Sequence, residues 1–272
     1  MGKPQVTKVA ATLFLCHLTD QGVAIGGYLN DGNGTSSGHV RIYQYNNNSW
    51  SQLGADINGE AADDNSGWSV SLSSDGSRVA IGAYTNDGAG TNSGHVRIYQ
   101  YNNNSWSQLG ADINGEASND SSGISVSLSS DGSRVAIGAF VNDGNGTDSG
   151  HVRIYQYNNN SWSQLGADIN GEAADDRSGL SVSLSSDGSR VAIGAFQNDG
   201  AGTDSGHVRI YQYNNNSWSQ LGADINGEAA DDQSGYSVSL SSDGSRLAIG
   251  AYRNDGNGSN SGHVRIYQYN NN

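Results

Sequence analysis

The sequence predicts an all-β protein, a five-bladed β-propeller of four-stranded antiparallel blades, and three observations predict it. A 56-residue unit recurs almost verbatim, the string SGHVRIYQYNNN placing its histidine at His39, His95, His151, His207 and His263. Each unit holds four apolar runs separated by Gly, Asp and Asn turn residues, and no window sets apolar residues at helical spacing. A unit of this size cannot bury its own apolar face and must stack on copies of itself.

The elements follow in order within the copy spanning 66–114. GWSVSLSS alternates Trp68, Val70 and Leu72 with Ser69, Ser71 and Ser73, the period-2 pattern of strand A. Its small serines suit the crowded region near a propeller axis. The Asp75-Gly76 turn leads into RVAIGA, a short, nearly continuous apolar run expected as strand B, covered on both faces. After the loop NDGAGTNSG comes HVRIYQY, strand C, with Val96 and Ile98 spaced by two and Tyr99 and Tyr101 likewise. The NNNS turn gives WSQLGADI, strand D.

The whole chain, 1–272, reads as one domain with blades at about 10–58, 66–114, 122–170, 178–226 and 234–272. The last ends at Asn272, where its strand D would begin. Closure by a strand from the other end would fall to Pro4 to Val9; otherwise the last blade offers an open edge for self-association. A β-solenoid is the alternative architecture, although its rungs are usually shorter than this repeat.

Composition narrows the function. With 34% hydrophobic residues and 39 Gly, the chain has apolar material for a core shared among Gly-rich units. The formal net charge of −14 repels phosphate backbones, so no nucleic-acid partner is expected, and no segment has the length of a membrane-spanning helix. The single cysteine, Cys16, excludes an intrachain disulfide. Phe14, Cys16 and Leu18 alternate as strand residues do, so the apolar opening reads as strand A of the first blade rather than a secretory leader.

The runs SGxSVSLSSDGSRVAIGA and GHVRIYQY resemble the FG-GAP repeat of integrin-type propellers, whose blades carry FGxSV, LAVGAP and GxVYVY in that order. The resemblance spans every copy and implies a propeller fold, a role in adhesion or ligand binding, and an extracellular or cell-surface location. Two departures stand out. The family's Phe is replaced by Trp68, Ile124, Leu180 or Tyr236, and its aspartate-rich calcium loop between strands A and B is reduced to Ser-Ser-Asp-Gly-Ser.

The copies disagree unevenly. Asn65, Ser121, Arg177 and Gln233 occupy one rewritten position, Trp68, Ile124, Leu180 and Tyr236 a second, and Thr85, Val141, Gln197 and Arg253 a third. These fall at the D-to-A junction and in the B-to-C loop, two connections that leave a four-stranded meander on the same face. The turns on the other face, SSDGS in blades two to five and YNNNSW in the four complete blades, repeat unchanged. Drift in exposed loops would touch both faces. The expectation is therefore a ligand-binding face made by those twelve residues near the mouth of an axial channel, recognising a glycan or a peptide. The alternative is a structural or self-assembling repeat protein, including an engineered symmetric scaffold.

Other constellations are explained without chemistry. Each repeated histidine belongs to strand C of a separate blade, too far from its fellows to share a zinc ion, which points to a structural role. No cofactor is expected; calcium at Asp31, Asn33 and Thr35 is the alternative, but Ala89 and Ala201 stand at the middle position in other copies and Asp-Gly and Asn-Gly turns account for the residues. The acidic Asp56, Glu60, Asp63 and Asp64 read as a solvated connection pairing with Arg97-type residues. Asn47, Asn103, Asn159 and Asn215 each head an Asn-x-Ser triplet that the repeat itself enforces. Since every Ser, His and Asp of interest is present in about as many copies as there are blades, no unique catalytic cluster is found and no enzyme is expected.

Overall fold

The structure, a computed structural model, describes residues 16–18 and 22–270. It is all-β: five antiparallel sheets follow one another along the chain, with strands in meander order. In the third, Ser125–Leu128, Arg134–Ala139, His151–Asn158 and Ser161–Gln164 lie side by side, A to D. The pairing Ile137↔Val126 and Ile137↔Arg153 places the apolar strand B at the centre of the sheet, as its unbroken hydrophobic run anticipates. The Asn159-Asn160 turn between strands C and D has both residues at positive φ (49° and 65°), the two-residue hairpin geometry that Asn tolerates.

Strand D departs from expectation. Its first half pairs with strand C over Ser161–Gln164, then the chain bulges and returns to pair at Ile169–Asn170. Gly166, at φ +81°, turns the backbone out of the strand, and the ring of Trp218 from the next sheet lies against it. Each complete sheet therefore carries a split outer strand. Among the described residues the last sheet has three strands, Ser234–Leu240, Arg246–Ala251 and His263–Gln268.

The sheets stack face to face, and the core lies between them. Ala80, Val96, Ile98 and Ile113 of the second sheet meet Leu128, Val135 and Ile137 of the third, and equivalent clusters join the other neighbours. Serines of strand A stitch the inner edge: Ser69 Oγ donates to the Gly123 carbonyl at 2.7 Å, and Leu128 N donates to Ser71 Oγ at 2.9 Å. Stacked meanders of this kind are propeller blades rather than solenoid rungs.

The closed five-bladed ring is not observed. Among the described residues no apolar cluster joins the fifth sheet to the first, and Val264 and Ile266 stand 67% and 75% exposed. Pro4 to Val9, the expected closing strand, lie outside the described residues. An axial channel mouth ringed by the rewritten side chains is accordingly not formed by these sheets.

Candidate functional site

The D-to-A junctions and B-to-C loops do share one side of the stack, and backbone hydrogen bonds explain why. Asp175 N donates to Thr147 O, Arg177 N to Asp148 O and Ser178 N to Ser149 O, so each junction is laid along the B-to-C loop of the preceding sheet. The loop is shaped by its own side chains: Asn142 Oδ1 accepts from Gly144 N at 2.8 Å, and Asp143 Oδ1 from Asp148 N at 2.9 Å. Asp31 performs the same task, accepting from Ser36 N at 2.9 Å, while Asn33 Nδ2 donates to Gly59 O at 2.8 Å. These residues act as turn formers. The junction is capped from within by a buried carboxylate, Asp176 Oδ2 accepting from Glu172 N and Ala173 N.

All twelve rewritten residues lie on this side, in three settings. Asn65, Ser121, Arg177 and Gln233 share a left-handed backbone, with φ between 53° and 55°. Such a conformation is unfavourable for residues other than Gly and Asn. Asn65 Nδ2 donates to Thr85 Oγ1 at 2.7 Å; Arg177 lies over the Phe140 ring at 5.9 Å and reaches Asp148 at 3.5 Å; Gln233 is buried with its Oε1 unpaired, and Ser121 is half-buried.

The second series sits between sheets. Trp68 packs edge-on against Tyr28 of the first sheet at 4.8 Å and against Tyr84 of its own at 4.7 Å. Ile124 is buried and Leu180 half-buried. Tyr236 is 43% exposed, with Phe196 at 5.6 Å and Tyr252 at 4.4 Å. In the third series Thr85, Val141 and Gln197 are half-buried, and Arg253 is exposed with its guanidinium 5.4 Å from the Tyr252 ring centre. The rewritten set therefore includes inter-sheet packing residues as well as open ones, a division that the pattern of differences alone could not reveal.

Sequence reasoning missed a second constellation, because its members come from adjacent sheets. His95 Nδ1 lies 3.9 Å from Glu60 of the preceding sheet and 3.8 Å from Asp112, while Arg97 Nη1 is 3.2 Å from the same Glu60. His151 and His207 repeat the arrangement with Glu116 and Glu172. Burial, reinforced by the neighbouring Arg97, pushes the His95 pKa down to about 4, and the same causes bring His151 and His207 to about 4. At neutral pH these imidazoles are uncharged, so arginine is the cation that Glu60, Glu116 and Glu172 face. The expected pairing of the acidic segment with Arg97-type residues is seen at Glu60; Asp56 instead forms a bidentate pair with Arg41 at 2.9–3.0 Å.

Comparison with known proteins gives a repeat type in two windows of the chain, and the fold. The FG-GAP repeat model matches residues 58–99 and 226–267, two windows in the same phase of the 56-residue unit. No curated protein matches the chain. Among solved structures, a putative 6-phosphogluconolactonase from Bacteroides uniformis aligns at TM-score 0.61 and 13% identity, over 94% of this chain and 66% of that one. Hydrazine synthase from Kuenenia stuttgartiensis aligns at 0.57 and 11%, over 99% and 67%. The periplasmic gluconolactonase of Pseudomonas aeruginosa aligns at 0.56 and 15%, over 86% and 63%. This chain thus spans about two thirds of the length of the structures it matches.

These likenesses correct one expectation. Repetition of the Ser, His and Asp residues of interest argued against an enzyme, yet proteins named as lactonases share this architecture. The stacked-sheet architecture is therefore no argument against catalysis, and the expectation is withdrawn.

Proposed function

We propose, for a chain that carries FG-GAP repeats, a ligand-binding module whose recognition face is the side bearing the D-to-A junctions and B-to-C loops. The observation that supports this reading most is the left-handed series. Backbone geometry at that position favours Gly or Asn, yet two of the four complete junctions carry Ser121 and Arg177 there, neither of them fully buried. A residue held where its backbone is unfavourable is retained for its side chain. Around it stand Trp68, Leu180 and Tyr236 and the polar Thr85, Gln197 and Arg253, a mixture of aromatic faces and hydrogen-bonding groups suited to a glycan or an extended peptide. Buried Ile124 and Gln233 support the junction rather than touch the ligand.

An immobilised oligosaccharide array and a displayed peptide library test this. Selective binding that is lost in Tyr236→Ala and Arg253→Ala, and kept in Asp131→Asn on the opposite face, is the expected result. Silence on both, or equal loss in all three variants, would remove the reading.

A further inference from the structure

The two ends of the stack carry opposite halves of one interface. At each internal junction the preceding sheet supplies Ala, Val and Ile from strands B and C, and the following sheet covers them with Leu, Val and Ile from strands A and B. Val96, Val152 and Val208 are fully buried this way, as are Ile98 and Ile154. Val264 and Ile266, the same residues of the fifth sheet, are 67% and 75% exposed. Gly194 abuts the Gly235 carbonyl of the next sheet, whereas Gly250 meets only Ser237 of its own. Arg190 Nη1 donates forward to Gly244 O at 3.0 Å, while Arg246 is exposed.

The first sheet shows the complementary half. Trp106, Trp162 and Trp218 each donate Nε1 to a leucine carbonyl of the preceding sheet at 2.7 Å; Trp50 is 49% exposed. Arg97, Arg153 and Arg209 reach a glutamate of the preceding sheet, but Arg41 turns to its own Asp56. Ile25 is part-exposed where Ile81, Ile137 and Ile193 are buried.

We propose that the exposed face of the fifth sheet is a docking surface for the first sheet of a second copy of this chain, in head-to-tail contact centred on Val264 and Ile266. The internal junctions identify the occupant, since they cover the strand C residues equivalent to Val264 and Ile266 with strands A and B of the following sheet; the strand D contribution, such as Ile113, has no counterpart in the fifth sheet. The contact is heterologous, so it builds rings or filaments rather than a two-fold dimer. This inference is independent of the ligand-binding reading.

Sedimentation velocity of the whole chain over a range of concentrations tests it, at about 0.15 M salt so that the net negative charge is screened. Concentration-dependent oligomers are expected. The double variant Val264→Asp/Ile266→Asp, altered only at exposed positions, stays monomeric with an unchanged circular dichroism spectrum. Ile25→Asp, at the part-exposed strand B position of the first sheet, is likewise monomeric, and mixing the two variants restores a dimer, because each retains the half that the other lacks. A wild-type chain that is monomeric throughout, including one closed on itself, overturns the proposal. So does assembly that survives in the double variant, or a mixture that fails to associate.

Discussion

Trp162 Nε1 donates to the carbonyl oxygen of Leu109 at 2.7 Å, joining the outer strand of the third sheet to the bulge of the second. The same bond links Trp106 to Leu53 and Trp218 to Leu165. It explains why each complete unit spends its one repeated tryptophan on an otherwise exposed strand. Trp162→Phe keeps most of the apolar contact and loses the bond, at a cost of about 1 kcal/mol. Trp50→Phe has no such bond to lose and changes stability by less than about 0.5 kcal/mol. Urea denaturation of both variants checks the difference.

Glycine at the end of strand B is demanded by the neighbour, not by its own turn. A Cβ on Gly138 would collide with the Gly179 carbonyl oxygen, a backbone atom that cannot move aside. Gly138→Ala should therefore destabilise by about 3 kcal/mol or more. At Gly250 the added Cβ meets the Ser237 hydroxyl, the free end of a side chain, and the cost falls below about 1 kcal/mol. Equal melting temperatures for the two variants would contradict the stacking described.

Acid should loosen the junctions. His95, His151 and His207 have folded-state pKa values of about 4, below their ordinary 6.5. Between those limits the unfolded chain binds more protons, so their contribution is complete above pH 6.5 and is lost as pH falls toward 4. Each histidine accounts for a loss on the order of a few kcal/mol. Melting curves from pH 7.5 to 4 should show the decline, and it should be shallower in His151→Gln. A slope unchanged by that substitution would assign the acid sensitivity to other groups.

Relief of the left-handed backbone should stabilise. Ser121 holds φ 55°, a conformation that Asn adopts more readily. Ser121→Asn is expected to raise stability by about 0.5 kcal/mol, read as a shift in denaturation midpoint. A loss of stability would show that Ser121 is chosen for its fit in the junction.

Much of this fold was legible because its signals are local and repeated. The alternation of Val70 and Leu72, the apolar run Val79–Ala83 and the Asn-Asn turns each specify their element within a few residues. The split in strand D was not legible, since Gly110 and Gly166 look like strand interruptions only when the next sheet's tryptophan is seen against them. The His95–Glu60–Arg97 cluster escaped for a similar reason: its glutamate belongs to the preceding unit. Closure depends on whether the first and fifth sheets, with Ile25 and Ile266 lying 241 residues apart, meet at all, and no local pattern encodes that. The one-sided rewriting was visible, but not that Ile124 and Gln233 are buried while Tyr236 and Arg253 face outward.

The most direct test of a recognition face compares the natural chain with one given Asn at the part-exposed left-handed positions, Ser121→Asn and Arg177→Asn together. Binding to the oligosaccharide array and peptide library is measured beside thermal stability. The account predicts a more stable protein whose binding is weakened at least about tenfold, the equivalent of 1.4 kcal/mol. Binding that is unchanged in the substituted chain would contradict it.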